Sequence, residues 1–202
     1  MSPLLVVALV VAVGCFLVGS VNPASLLARA LGTDLRASGS GNPGATNAGR
    51  VLGIRWGVVV GVLDVAKAFV PTLVLLRALG LVLALTGGLC VVLGHMFSPF
   101  LGGHGGKGVA AALGAILAVA PWVALGAVVV FGAFVAVVRT VGRASVLTCL
   151  VLVAVGVAAG LRAPLVSSLL GPGTGWWLAV LAALVISRHH RNIGSWLTAR
   201  LR

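Results

Sequence analysis

The sequence predicts an all-α, polytopic integral membrane protein, and three observations carry that prediction. Hydrophobic residues make up 60% of the chain and charged residues only 8%, where a soluble domain carries about 25% charge. The mean hydropathy is +1.22. The apolar residues also fall into runs of spanning length, about 20 residues each, separated by segments rich in Gly, Pro or Arg. Counting the runs gives about seven transmembrane helices in a single domain over residues 1–202, with the N-terminus outside and the C-terminus cytoplasmic.

The first run, Pro3 to about Ala30, is interrupted by Gly19, Ser20, Asn22 and Pro23. Such an interruption is expected to face protein or a cavity, because a lipid-exposed backbone break is not tolerated in hydrocarbon. The run resembles a secretory signal, and Val13-Gly14-Cys15 resembles a lipoprotein cleavage box, but no Lys or Arg precedes it; a retained first helix is expected. Gly32 to Gly53 then reads GTDLRASGSGNPGATNAGRVLG, a polar loop too long and too specific to be a mere connector.

Trp56 to about Leu76 is the second span and carries Asp64 and Lys67 at i, i+3, on one helix face, where they can neutralise each other. Either a functional role or helix packing accounts for that pair. Leu79 to about Phe97 is the third span and leads into Gly102–Gly108, GGHGGKG. About thirty apolar residues follow, to Val138, with Pro121 near the middle; two short helices turning near Pro121 are expected. Two crossings return Arg139 and Arg143 to the side of Lys107, in keeping with the positive-inside tendency. Ala144 to Leu161 is the sixth span, Arg162 to Gly175 an external turn, and Trp176 to Ser187 the seventh, starting as early as Leu169. A basic tail ends the chain.

This topology puts eleven of the fourteen basic residues on the cytoplasmic side: Arg29, Arg36, Arg50, Arg55, Lys107, Arg139, Arg143, Arg188, Arg191, Arg200 and Arg202. Arg77 and Arg162 fall outside and Lys67 within a helix. The net charge of +12 is therefore an orientation signal. No nucleic-acid partner is expected, since aromatic residues do not interleave the basic ones. Cys15, Cys90 and Cys149 lie in separate apolar runs without metal spacing and read as small core residues.

Three polar segments then emerge on one face: Ser38–Asn47, Gly102–Gly108 and His189–Asn192. Glycine at the density of Gly102–Gly108 weakens a helix by about 1 kcal/mol per residue relative to Ala, so a loop is expected. Its backbone N–H groups would form an anion nest beside Lys107. It is not a Walker A loop: Leu101 stands where the first Gly would be, and Gly108 follows Lys107 in place of Ser or Thr. Arg50 can grip a phosphate in a bidentate way, and Lys107 can set a compact charge over a neighbouring oxyanion. The hydroxyls of Ser38, Ser40 and Thr46, the amides of Asn42, Asn47 and Asn192, and the imidazoles of His95, His104, His189 and His190 complete the inventory. With only two carboxylates in the chain, an anionic substrate fits; a carboxylate-held Mg²⁺ or a carboxylate base does not. Neither a metal nor another cofactor is expected.

Together the motifs resemble one family, the bacterial acyl-phosphate-dependent glycerol-3-phosphate acyltransferases, integral membrane enzymes of early phospholipid synthesis. The resemblance rests on Ser38-Gly39-Ser40-Gly41-Asn42-Pro43-Gly44-Ala45-Thr46-Asn47 with Arg50, on Gly94-His95-Met96-Phe97 leading to Gly105-Gly106-Lys107-Gly108-Val109-Ala110, and on Arg188-His189 with Asn192-Ile193. Leu63-Asp64 with Lys67 and the pair Ala144-Ser145 extend it over nearly the whole chain. It implies a seven-helix enzyme of the bacterial inner membrane, with its site at the cytoplasmic face. Such an enzyme moves an acyl group from acyl phosphate to the 1-hydroxyl of glycerol 3-phosphate, giving lysophosphatidate and phosphate.

The same resemblance implies catalytic roles for Ser40, Lys107, His189 and Asn192. It implies substrate and phosphate binding by Asn42, Thr46, Arg50 and Ser145, to which the donor-rich loops themselves add Ser38, Asn47, Gly105, Gly106 and Gly108. Two departures stand out: the family's terminal Gly-x-Glu is Ala199-Arg200-Leu201 here, and its aromatic-Lys pair before the glycines is Gly103-His104. The base is His189, His95 or a substrate phosphate oxygen, and the acyl tail is expected in an apolar groove between spans. An organic-phosphate transporter would need a site reachable from both sides near mid-membrane. A scaffold gives no reason for GSGNPGATN, and CDP-alcohol phosphotransfer wants clustered aspartates.

Overall fold

The computed structural model describes residues 2–190 and 192–194. All regular structure among them is helical: α1 (Pro3–Ser20), α2 (Pro23–Ala30), α3 (Ala45–Val51), α4 (Ile54–Ala78), α5 (Leu81–Met96), a 3₁₀ turn (Pro99–Leu101), α6 (Val109–Val119), α7 (Pro121–Val138), α8 (Val141–Gly160), α9 (Pro164–Ser167) and α10 (Pro172–Ser187). Among the described residues five stretches are long and apolar enough to cross a membrane: Pro3–Ala30, Ile54–Ala78, Leu81–Leu101, Pro121–Val138 and Val141–Gly160. Val109–Val119 and Pro172–Ser187 are shorter apolar helices. The all-α membrane class read from composition is the class observed. The tail residues Arg191, Arg200 and Arg202, and the Ala199-Arg200-Leu201 departure, lie outside the described residues.

Helix boundaries follow from local chemistry. The interruption in the first run is a change of helix: Pro23 lacks an N–H and starts α2, and the Asn22 side chain caps it by accepting the Ser25 N–H at 2.8 Å. The long apolar run after Gly108 divides at Ala120, and Pro121 opens α7. Two elements were not anticipated. The turn after Arg162 contains the four-residue α9, and the first polar loop contains α3.

The chain falls into two compact units, Met1–Val119 and Ala120–Arg202. Both invert the pattern of a soluble protein, with large apolar side chains outside and small residues inside. Leu4, Val10, Val62 and Val82 in the first unit and Val129 and Val137 in the second are exposed, whereas Ala24, Ala48, Ala68, Ala84, Ala111, Ala115 and Ala144 are buried. Close backbone approach supplies the packing, as in bilayer interiors. A Cβ on Gly19 or Gly94 would overlap the facing backbone where α1 meets α5, and one on Gly114 would meet Val65 of α4. In the second unit α8 and α10 meet the same way, a Cβ on Gly156 falling 2.6 Å from the Gly175 carbonyl oxygen.

Candidate active site

The first polar loop is organised by Asn47. Its Oδ1 accepts the Ser40 N–H at 2.8 Å, and its Nδ2 donates to the carbonyls of Leu35 and Ser38, each at 3.0 Å. Both amide hydrogens are thus committed, and the residue is only 1% exposed. The reading of Asn47 as a phosphate ligand is therefore corrected: it is an internal brace. Gly39, at φ +62°, makes the brace possible, since a Cβ there would overlap Asn47 Oδ1.

α3 holds the other end of this loop. Ala48 joins Ala24, Ala28, Leu35 and Val60 in a small core, and Gly49 lies against Gly57 of α4, so the helix is pinned by its small residues. Thr46 and Arg50, four residues apart on the opposite face, are exposed. Ser40 is exposed too, and Ser38 and Asn42 are half-buried. The loop therefore presents three hydroxyls, an amide and a guanidinium.

The glycine loop is built differently. The N–H groups of Gly102, Gly103, His104, Gly105 and Gly106 donate to the carbonyls of Pro99, Ser98, Leu101, Met96 and His95, at 2.8–3.2 Å. An anion nest from these groups is contradicted, and Gly105 and Gly106 are not phosphate donors through their N–H groups. They are glycines because the loop folds back onto the end of α5: a Cβ on Gly105 would overlap the His95 carbonyl, one on Gly106 the His95 imidazole, and one on Gly108 the Met96 side chain. What the loop offers is Lys107, half-buried, one residue before Gly108 and the N-terminus of α6, where the helix dipole adds partial positive charge.

Burial, and after it the neighbouring Arg50 guanidinium, pull the Lys107 ammonium below the ordinary lysine value of 10.5. Two cations from separate segments thus share one neighbourhood, an arrangement that an anion between them would relieve. In the same unit, Val58, Val62, Val65, Phe69 and Leu117 line an open apolar cavity of about 450 Å³ between α4 and α6. A Cβ added to Gly61 in its wall would lie 3.6 Å from the Cβ of Ala45, the first residue of α3.

Ser145, His189 and Asn192 lie in the second unit. His189 is 1% exposed, and its Nδ1 donates to the Val185 carbonyl at 2.8 Å, which leaves the ring lone pair on Nε2. Ser145, buried on the first turns of α8, donates its hydroxyl hydrogen to the Val141 carbonyl at 2.8 Å. Asn192 lies against the same helix start, where a Cβ on Gly142 would overlap its Nδ2. Ser145 and Asn192 therefore both lie near the start of α8. His104 and His190 are exposed and bond locally, to the Gly102 and Ser187 carbonyls. The expected pairing within α4 is present, Lys67 Nζ lying 2.8 Å from Asp64 Oδ1.

Residues 9–199 match the family model described as glycerol-3-phosphate acyltransferase. The chain is similar to the glycerol-3-phosphate acyltransferase of Aquifex aeolicus, 39% identical over 196 residues that cover 96% of this chain and 97% of the relative. To that of Geobacter sulfurreducens it is 41% identical, with 88% of each chain covered. Among solved structures it is similar to PlsY, described as an integral membrane glycerol 3-phosphate acyltransferase. The glycerol 3-phosphate form of that protein superposes with a TM-score of 0.83 at 38% identity, covering 96% of this chain and 93% of the other. The lysophosphatidic acid form gives 0.81 at 36%.

Proposed function

The chain belongs to the glycerol-3-phosphate acyltransferase family, and on that premise we propose that it moves an acyl group from acyl phosphate to the 1-hydroxyl of glycerol 3-phosphate, releasing lysophosphatidate and phosphate. The observation that carries the reading is that Arg50 lies near enough to Lys107 to lower its pKa, on a segment that also exposes the Ser40 and Thr46 hydroxyls. An acyl phosphate is already activated. The site has to hold phosphorylated reactants in line and stabilise the oxyanion at the carbonyl carbon.

In this reading Arg50 and the loop hydroxyls hold a phosphate, and Lys107 faces the charge that develops on the carbonyl oxygen. The attacking hydroxyl gives its proton to a phosphate oxygen of the substrate or to a histidine. Among the side chains we assign that role to His189, because His95 Nδ1 already accepts from Lys67 at 2.8 Å, whereas His189 Nδ1 is a donor, to the Val185 carbonyl. Ser145 and Asn192 serve the same reaction as hydroxyl and amide groups. The α4–α6 cavity takes the start of the acyl chain, its apolar lining matching a lipid tail. Seven crossings, an outside N-terminus and a site at the cytoplasmic face of the bacterial inner membrane complete the proposal, and no cofactor enters it.

The test is phosphate release by the purified protein in lipid, given palmitoyl phosphate with and without glycerol 3-phosphate, beside reactions offering acyl-CoA or acyl carrier protein. Release that depends on glycerol 3-phosphate and yields lysophosphatidate only from the acyl phosphate is the predicted result. Product from a thioester donor alone would reassign the donor.

A further inference from the structure

We infer that Asp64, Lys67 and His95 form a buried positioning device that fixes the backbone before Lys107 and ties it to the break between α1 and α2. The inference rests on the proposal that Lys107 acts on the reacting groups. Asp64 is 2% exposed and His95 4%, and neither reaches the surface that Arg50 and Thr46 occupy. Their connections run inward instead.

Lys67 is the centre of the arrangement. Its ammonium lies 2.8 Å from Asp64 Oδ1, 2.8 Å from His95 Nδ1 and 2.8 Å from the Val21 carbonyl oxygen. An ammonium has only donors, so His95 Nδ1 accepts and the ring proton sits on Nε2. The Val21 carbonyl is available because the helix changes at Asn22-Pro23, so the break in the first apolar run supplies the third partner. One side chain on α4 thus joins the α1–α2 break to the end of α5, with the carboxylate of Asp64 balancing its charge.

His95 passes that connection to the loop in two ways. Its carbonyl accepts the Gly106 N–H at 3.0 Å, and its imidazole, on the Nε2 side, lies so close to Gly106 that a Cβ there would overlap Nε2. Gly106 immediately precedes Lys107. The flanking contacts of the same break point the same way: Ser98, just before the glycine loop, donates its hydroxyl hydrogen to the Ser20 carbonyl at 2.6 Å, and Asn22 Nδ2 donates to the Pro43 carbonyl at 3.0 Å in the first polar loop. Residues 20–22 therefore hold both loops that carry cations, and Lys67 with His95 is the charged part of that hold. A pair serving packing alone would not need a ring placed against the residue beside Lys107.

The test is a double-mutant cycle between His95 and Gly106. Truncating Asp64 or Lys67 alone leaves an unpaired buried charge and invites misfolding. His95→Asn is gentler, because its amide oxygen can occupy the Nδ1 position and keep an acceptor for Lys67 while removing the ring edge that faces Gly106. For protein that elutes and unfolds like the wild type in detergent, His95→Asn is expected to lower kcat at least tenfold. KM for glycerol 3-phosphate should stay within threefold, since Arg50 and the hydroxyls still bind the ground state.

Gly106→Ala is expected to lower kcat at least tenfold in the wild type, but threefold or less in the His95→Asn background, where the ring is gone. The double variant Asp64→Asn/Lys67→Met, which leaves no unpaired charge, should reproduce the kcat loss if His95→Asn fails to fold. Thr72→Val, a buried polar position on the same helix, should keep kcat within twofold. Wild-type kcat in folded His95→Asn or in folded Asp64→Asn/Lys67→Met, an equal cost of Gly106→Ala in both backgrounds, or a tenfold loss in Thr72→Val would each overturn the inference. Full turnover by Lys107→Ala would instead overturn the reading on which it rests.

Discussion

The two glycine-rich loops of the first unit look alike in composition and are built for opposite ends. Residues 38–47 turn their polar groups outward around one internal brace, Asn47, so the loop presents Ser40 and Thr46. Residues 102–108 turn their N–H groups inward onto the carbonyls of residues 95–101 and present a single side chain, Lys107. Glycine serves the first loop by allowing a turn beside the brace, and the second by letting backbone lie against the end of α5. A glycine-rich segment near a cation is thus evidence of close packing as readily as of an anion nest.

The sharpest way to break this comparison is to remove what each loop presents or hides. Lys107→Ala should lower kcat/KM by about 10²–10³, the range for losing one preorganised oxyanion contact, with the unfolding midpoint in detergent unchanged or raised. Asn47→Ala should behave in the reverse order. It orphans the Ser40 N–H and the carbonyls of Leu35 and Ser38, so stability should fall by about 2–4 kcal/mol, read by thermal unfolding, with activity falling as the loop loosens. Equal stability losses in the two variants would erase the distinction between presented cation and brace.

The pH dependence sharpens it further. The Lys107 pKa is lowered in the fold, so between that value and 10.5 the unfolded chain binds more protons, and this group's contribution to stability rises with pH. Below both values that contribution is constant and unfavourable. Turnover that needs the ammonium runs the other way, falling as pH rises through the lowered value. The alkaline limb of kcat/KM should therefore lie below 10.5 in the wild type, and Lys107→Arg, whose guanidinium stays charged, should lack it in whatever activity remains. A limb of the same midpoint in both would assign it to another group.

The smallest effect separates the two halves of the glycine loop. Gly103 has φ +79° and open space around it, so Gly103→Ala should cost about 1 kcal/mol of left-handed strain and little activity. Gly105→Ala would drive a Cβ into the His95 carbonyl and should cost more in both stability and turnover.

Much of this was legible in the residues, for identifiable reasons. The apolar runs and Pro23 and Pro121 fixed the helix changes, because proline cannot donate and sits at a helix start. The i, i+3 spacing of Asp64 and Lys67 foretold their pairing. α3 was not legible: seven residues, ATNAGRV, have little intrinsic helicity, and the helix exists because Ala48 enters a core and Gly49 fits against Gly57. Nor could composition tell which way the loop N–H groups turn, or that His95 on α5 would join the Asp64–Lys67 pair from 28 residues beyond Lys67. Those depend on packing between helices that sequence spacing does not encode.

In the proposed site Arg50 and Lys107 hold one anion between them. The direct measurement is the rate at which an amine-acylating reagent labels Lys107, followed by mass spectrometry, with and without glycerol 3-phosphate. Saturating glycerol 3-phosphate is expected to slow labelling at least tenfold in the wild type and far less in Arg50→Gln. An unchanged rate in the wild type at saturation would contradict it.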